Sequence, residues 1–282
     1  MAARLAAVHP LRVWNRTGAR AAEFAGRHLV ATAAETPRDL AAECEVVVLC
    51  LSTSRDVARV LEGPDGLVAG LRPGALVVDC TSGEPGLARQ FAAQLTGEGI
   101  AYVDAPVSGG INGAEAGTLT VMVGCDAAEL ARVEAVVAPF AGRVVRMGGV
   151  GTGNAMKAVN NALLAVNILA VGEGMAALAK AGVAPRLALE VLNVSSGRSF
   201  VSETLVPERV LTDLWPVTFR LALLHKDIGI ATALLADQGV DGPILDRALD
   251  CYAAARQALG ESADYLEAIR VIEAQAGVEI RG

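Results

Sequence analysis

Lys157 and Asn161 stand four residues apart in the segment Gly151-Thr-Gly-Asn-Ala-Met-Lys-Ala-Val-Asn-Asn161, so a helix would place them on one face. An ammonium and an amide set among Ala, Met, Val and Leu suit a carbonyl substrate. A desolvated lysine can donate a proton as hydride arrives, or stabilise the alkoxide. The plainer alternative is a lysine snorkelling from an amphipathic helix. The glycines here are not a dinucleotide fingerprint, because Met156 occupies the place of the third glycine.

Three further clusters could do chemistry. Asp104-Ala-Pro-Val-Ser-Gly-Gly110 ends an apolar run; Ser108 offers a hydroxyl, and Gly109 and Gly110 let backbone N–H groups approach an anion. Residues 11–14 close on Asn15, Arg16 and Thr17 with no acid. Strands that select NAD tend to end in Asp or Glu for the ribose 2′-hydroxyl, whereas Arg16, with Asn15 and Thr17, can hold a 2′-phosphate. A solvated turn uses the same residue types. Finally, His225-Lys226-Asp227 interrupts an apolar stretch over 221–235, where Lys226 can reach over a cofactor.

The elements that must position these residues alternate in the first half. Apolar, β-branched runs at 11–14, 46–50, 76–79, 100–104, 120–123 and 144–147 are separated by helix-prone stretches, which implies βαβ units and a parallel, doubly wound sheet. Thr36-Pro37 is a helix start, a capping hydroxyl followed by proline at the first helical position. One long helix is expected over 152–181, ending at Gly182. Helices then follow, with breaks near Gly197, Pro207, Pro216 and 239–243. The expected domains are therefore an α/β domain, 1–149, and an all-helical domain, 150–282, joined by a long helix.

Composition narrows the function. The chain has 282 residues, a net charge of −7 and 53% hydrophobic residues, enough for about two domains. The acidic balance, with no Lys/Arg stripe, argues against nucleic-acid binding. Membrane spanning is not expected, because Asn160, Asn161 and Asn167 cut the longest apolar runs short of the roughly 18–20 residues a span needs. Arg4, Arg12, Arg16 and Arg20 precede any acid, as in an organelle leader, but run straight into an apolar strand. Five scattered cysteines read as reduced, mostly buried thiols in a cytoplasmic protein. Three isolated histidines do not form a metal site, so redox chemistry falls to an organic cofactor.

Taken in this order, the motifs resemble those of the β-hydroxyacid dehydrogenase family, which includes 3-hydroxyisobutyrate dehydrogenases and tartronate semialdehyde reductases. Asp104 to Gly110 is similar to its substrate-binding signature, Gly151 to Asn161 to its catalytic helix with Lys157 as the catalytic lysine, and Lys226-Asp227 to its conserved pair near the nicotinamide. Trp14-Asn15-Arg16-Thr17 resembles the version in NADP-preferring members. The resemblance implies a Rossmann-like domain, substrate contacts from Ser108, Gly109, Gly110 and Asn161, and cofactor contacts from Leu51, Ser52 and Thr81. It also implies NADP(H) as preferred cofactor with NAD(H) possible, a small hydroxyacid or semialdehyde as substrate, and a homodimer or homotetramer.

The sequence departs from the family at its start. The family pattern opens with a strand and a glycine-rich loop, whereas Met1-Ala2-Ala3-Arg4-Leu5 looks like the middle of the helix that follows them. The expectation is a sheet lacking its first strand and glycine-rich loop, with both neighbouring strands unpaired on that side. It extends to Met1 being an internal methionine of a longer natural protein. A non-catalytic, oligomerising member of the family is the alternative this departure raises.

Overall fold

The computed structural model describes residues 1–282, in two compact units, Met1–Lys157 and Ala158–Gly282. In the first unit the β-branched runs form the strands, because branching at Cβ crowds a helix but fits a pleated surface. Strands β1 (Leu11–Val13) and β2 (Ala31–Ala33) form one parallel pair. A six-stranded sheet holds β3 (Val46–Leu49), β4 (Leu76–Asp79), β5 (Ala101–Asp104), β6 (Val107–Ser108), β7 (Leu119–Gly124) and β8 (Ala141–Gly148). Its order is β3-β4-β5-β7-β6, with β8 pairing with β7.

Strand β4 is buried along its whole length, and its alternation feeds two cores. Leu76 and Val78 pack with Val103, Val121, Val123 and Phe140 on one face. Val77 packs on the other with Val47, Tyr102, Phe91 and Leu95. Helices α3 (Pro37–Ala42), α4 (Ser54–Leu61) and α5 (Pro85–Gly97) supply that second face. Helix α3 begins as its sequence dictates: Thr36 Oγ1 accepts from Asp39 N–H at 3.0 Å, with Pro37 at the first position. The remaining helices of the unit are α1 (Ala2–Ala6), α2 (Gly18–Arg27), α6 (Gly110–Ala116) and α7 (Leu130–Val137).

Several details differ from the sequence reading. Strand β2, Ala-Thr-Ala, has one β-branched residue and gave no strand signal. The segment 107–108, beyond the run that ends at Asp104, makes a two-residue strand. The parallel arrangement holds for β1-β2, β3-β4-β5 and β7-β8, but β7 runs antiparallel to β5 and β6. The connection from β6 to β7, 109–118, is ten residues, shorter than the crossover of a dozen or more residues that a parallel return needs. The sheet is also interrupted: β1 pairs only with β2, and β3 only with β4, so each leaves one edge unpaired.

Helix α8 (Thr152–Lys180) contains the sequence boundary between the two units and stops before Gly182, whose φ is +87°. It is 29 residues long and apolar nearly all round. By length and composition it passes the test for a membrane span, with mean hydropathy 1.8, which corrects the expectation that no run does. Its asparagines dilute the apolar character without breaking the helix. A core helix of a soluble protein passes the same test, and Ala165, Ile168 and Met175 are buried in the core of the second unit.

That core also takes Leu189 from α9 (Pro185–Asn193), Leu224 and Ile228 from α10 (Leu221–Asp237), Tyr252 from α11 (Pro243–Leu259) and Ile269 from α12 (Ala268–Ala276). Each such side chain stabilises the unit by roughly 1.5–3 kcal/mol against exposure. The expected break at Pro207 is absent. Pro207 lies within a π-helical segment, Val201–Val210, whose i→i+5 spacing shifts the hydrogen-bond register that a proline disrupts in an α-helix. Among the cysteines, all free, only Cys80 and Cys125 are buried and Cys50 is exposed, so "mostly buried" overstates the case.

Candidate active site

Strands β4 and β5 both end in aspartate, and the two residues are register partners. A buried carboxylate needs donors. Asp79 accepts from Thr81 N–H at 2.9 Å and from the Tyr102 hydroxyl at 2.7 Å. Burial, with the Asp79 charge beside it, pushes the Tyr102 phenol upward and keeps it a donor. Thr81, itself buried, accepts from Leu51 N–H at 3.0 Å. Its hydroxyl therefore acts on the cleft through the Leu51 backbone.

Asp104 is completely buried. Its Oδ1 accepts from Gly151 N–H and its Oδ2 from Asn154 N–H, both at 2.7 Å, so it caps the start of α8 from a strand. Burial raises this carboxyl to about 6, with the two N–H bonds opposing the shift and Asp79 adding to it. The Asn154 side chain in turn accepts from Gly83 N–H at 3.2 Å. Lys157, half-buried, follows on α8 one turn after Asn154.

Two residues beyond Asp104, Pro106 accepts from Met122 N–H at 3.0 Å, and Ser108 pairs with Thr120. Gly109 and Gly110 then take φ of +131° and +63°. A side chain at Gly109 would be strained by that angle and would also place its Cβ 3.0 Å from Leu119 Cδ2. The tight turn, read from sequence as an anion cradle, is thus real as backbone geometry.

Five of the predicted cofactor residues, Asn15, Arg16, Thr17, Leu51 and Ser52, line one cavity of about 780 Å³ together with residues of β1 and β3, whereas Lys226 is not among its lining residues. Asn15 Oδ1 accepts from Thr17 N–H at 2.9 Å, fixing the turn before α2. Arg16 is largely exposed, with a 3.7 Å contact to Asp56 Oδ1 as its ion pair. An exposed guanidinium thus stands beside a fixed Asn–Thr turn, and β1 ends in Val13 with no acid.

In the second unit Asn161 is buried and donates from Nδ2 to Asp227 Oδ2 at 2.6 Å. Lys226 Nζ lies 3.0 Å from Asp227 Oδ1, and Asn160 donates to Asn161 Oδ1 at 3.2 Å. Asp227 therefore joins the two predicted residues Asn161 and Lys226. The sequence pairs Asp227 with Lys226 but carries no sign of its bond to Asn161, and Asp227 is only 1% exposed. A second cavity of about 360 Å³ is lined by Asn167, Leu178, Ser196, Arg198 and Ser199 among others. Asn193 donates to Ser202 O at 3.0 Å.

The roles of Asp104 and Asn154 were missed from sequence. The available signal was an acid ending each of two apolar strands, since such an acid must find internal partners.

Both parts of the chain match known protein families. Residues 1–149 match the family described as the NAD binding domain of 6-phosphogluconate dehydrogenase. Residues 151–272 match the NAD-binding domain of NADP-dependent 3-hydroxyisobutyrate dehydrogenase. The 2-(hydroxymethyl)glutarate dehydrogenase of Eubacterium barkeri is 33% identical over 253 residues, 89% of this chain and 84% of that one. Human mitochondrial 3-hydroxyisobutyrate dehydrogenase is 32% identical over 79% of this chain and 68% of its own. The structure of Mycobacterium tuberculosis 3-hydroxyisobutyrate dehydrogenase with L-serine superposes with a TM-score of 0.86 at 29% identity, covering 95% of this chain and 92% of that one. With both halves matched, the chain belongs to the β-hydroxyacid dehydrogenase family of NAD(P)-dependent oxidoreductases.

Proposed function

We propose that this dehydrogenase reversibly oxidises a small β-hydroxycarboxylate, of the 3-hydroxyisobutyrate, 2-(hydroxymethyl)glutarate or tartronate semialdehyde–glycerate type, and prefers NADP(H) to NAD(H). The observation that carries this reading is the tie made by Asp104. It links the start of α8, with Lys157, to the strand end from which Ser108-Gly109-Gly110 follows.

When bound, the nicotinamide supplies or accepts the hydride. Lys157 takes the hydroxyl proton during oxidation and returns it during reduction. Ser108 and the glycine turn hold the substrate carboxylate, and Asn161 binds the substrate with its amide orientation set by Asp227. Arg16, Asn15 and Thr17 bind the 2′-phosphate, while Leu51 and Ser52 line the dinucleotide cleft. Retention of Lys157, Ser108 and Asn161 favours this over a non-catalytic subunit.

A homo-oligomer belongs to the same proposal, supported by Leu187, Val191, Val194 and Phe200, all exposed in the second unit. The five free thiols support a reducing, cytoplasmic setting.

The test is turnover of 3-hydroxyisobutyrate, 2-(hydroxymethyl)glutarate and glycerate with NADP⁺ and with NAD⁺, followed at the reduced nicotinamide absorbance. Oxidation of at least one, faster with NADP⁺, supports the reading. A folded, cofactor-binding protein that oxidises none of them overturns it.

A further inference from the structure

Around Asp104 the chain is stripped of side chains on two sides. A Cβ on Gly124 would lie 2.3 Å from Asp104 Oδ1, and one on Gly153 would lie 2.3 Å from Met122 O and 3.0 Å from Asp104 Oδ2. Gly151, which donates to the carboxylate, has φ of +94°, and a Cβ there would meet Pro85 O at 2.8 Å. None of the three positions tolerates a side chain without displacing the carboxylate or the helix start. Three glycines from two separate segments, around one fully buried acid, mark a site built to hold that acid in one place.

The two carboxylate oxygens of Asp104 are divided between two N–H groups at the first turn of α8. Those donors lack acceptors within the helix itself, so the acid satisfies them and favours the positive end of the helix dipole. Cooperation from Asn154, which grips Gly83, ties the same turn to the loop after β4.

We infer that Asp104 is a positioning residue for Lys157: by holding Gly151 and Asn154, it sets where the first two turns of α8 place the lysine ammonium. The inference rests on the reading of Lys157 as the proton-handling group. Asp104 itself touches no substrate and exchanges no proton in the reaction.

The test uses Asp104→Asn and Gly124→Ala in the full chain. The first puts an amide NH₂ where one oxygen accepted an N–H. The second leaves the charge intact but pushes the carboxylate from its seat. Both are expected to lower kcat by at least about tenfold, since small misplacements of a reacting group carry penalties up to 10²-fold. Substrate KM and NADPH Kd are expected to stay within about twofold, the pattern of a loss confined to the chemical step.

Loss of hydrogen-exchange protection at Gly151 and Asn154 in either variant completes the expected result. Unchanged kcat in a variant that has lost this protection overturns the inference. The same measurement in the unmodified protein guards against variants that fail to fold: unprotected amides at Gly151 and Asn154 also overturn it. A Lys157→Ala protein with normal turnover would instead remove the underlying reading of Lys157, so the two failures are distinguishable.

Discussion

Asn161 on α8 and Asp227 on α10 meet through a 2.6 Å hydrogen bond across 66 residues of sequence. The Asp227 carboxylate is buried, and Lys226 lies beside it at 3.0 Å. Removing one partner of such a group leaves the other desolvated and unmatched. Asp227→Ala should therefore destabilise the protein by about 3 kcal/mol, the low end for breaking a buried pair because Lys226 is partly solvated. Asp227→Asn, which keeps an acceptor for Asn161, should lose clearly less. Urea unfolding of both variants checks this, and equal losses would show that the Asn161 contact contributes nothing.

A second buried acid has a purely structural place. Asp264 is fully buried and pairs with Arg209 at 2.7 Å, while also accepting from Thr218 and Phe219 N–H at 2.7 and 3.1 Å and from Leu266 N–H at 3.0 Å. Asp264→Ala strands the Arg209 guanidinium and three backbone donors. The expected loss is about 3–5 kcal/mol, read as a lower midpoint in denaturant unfolding.

Arg16 offers a test of cofactor choice. Its guanidinium is exposed and only loosely engaged by Asp56, so its removal should not disturb the fold. Arg16→Ala should weaken NADPH binding by about tenfold or more, the worth of a charge-assisted bond, and leave NADH binding nearly unchanged. Calorimetric titration with each cofactor measures the two effects. Equal weakening toward both would detach Arg16 from the 2′-phosphate.

Asp104 makes stability depend on pH with a definite sign. Burial raises its carboxyl to about 6, from an ordinary 3.8. The folded protein therefore holds this proton more tightly than the unfolded chain does. Its contribution to stability is complete below about pH 4 and is lost as the pH rises through about 6. The groups that face it, Asp79 and Tyr102, keep their positions in Asp104→Asn, which cannot titrate at 104. The stability of the natural protein relative to that variant should fall from pH 4 to pH 6.5, measured by unfolding at each pH. Parallel curves would contradict the assignment.

Much of this was legible in the residues. Uninterrupted β-branched runs gave six of the eight strands, and a proline-free stretch ending at Gly182 gave α8. Thr36-Pro37 gave the start of α3. What escaped depended on contacts made at long range. Ala31–Ala33 pairs because β1 lies beside it, a fact no local propensity carries. Pro207 sits inside a helical segment because the register there is π. Lys157, Ser108 and Asn161 stand out as candidates by type and spacing, whereas the contacts of Asp104, Asn154 and Asp227 form only when distant segments are brought together. Interruption of the sheet between β1 and β3 was visible too, as a mismatch between the opening residues and the family pattern.

Proton handling by Lys157 is the step of hydroxyacid oxidation on which the proposed function depends. The most direct measurement is steady-state turnover of Lys157→Ala with the preferred hydroxyacid and NADP⁺, alongside NADPH titration of the same protein. A fall in kcat of about 10²-fold or more is expected, with cofactor affinity retained. Near-normal turnover by a folded Lys157→Ala protein would contradict it.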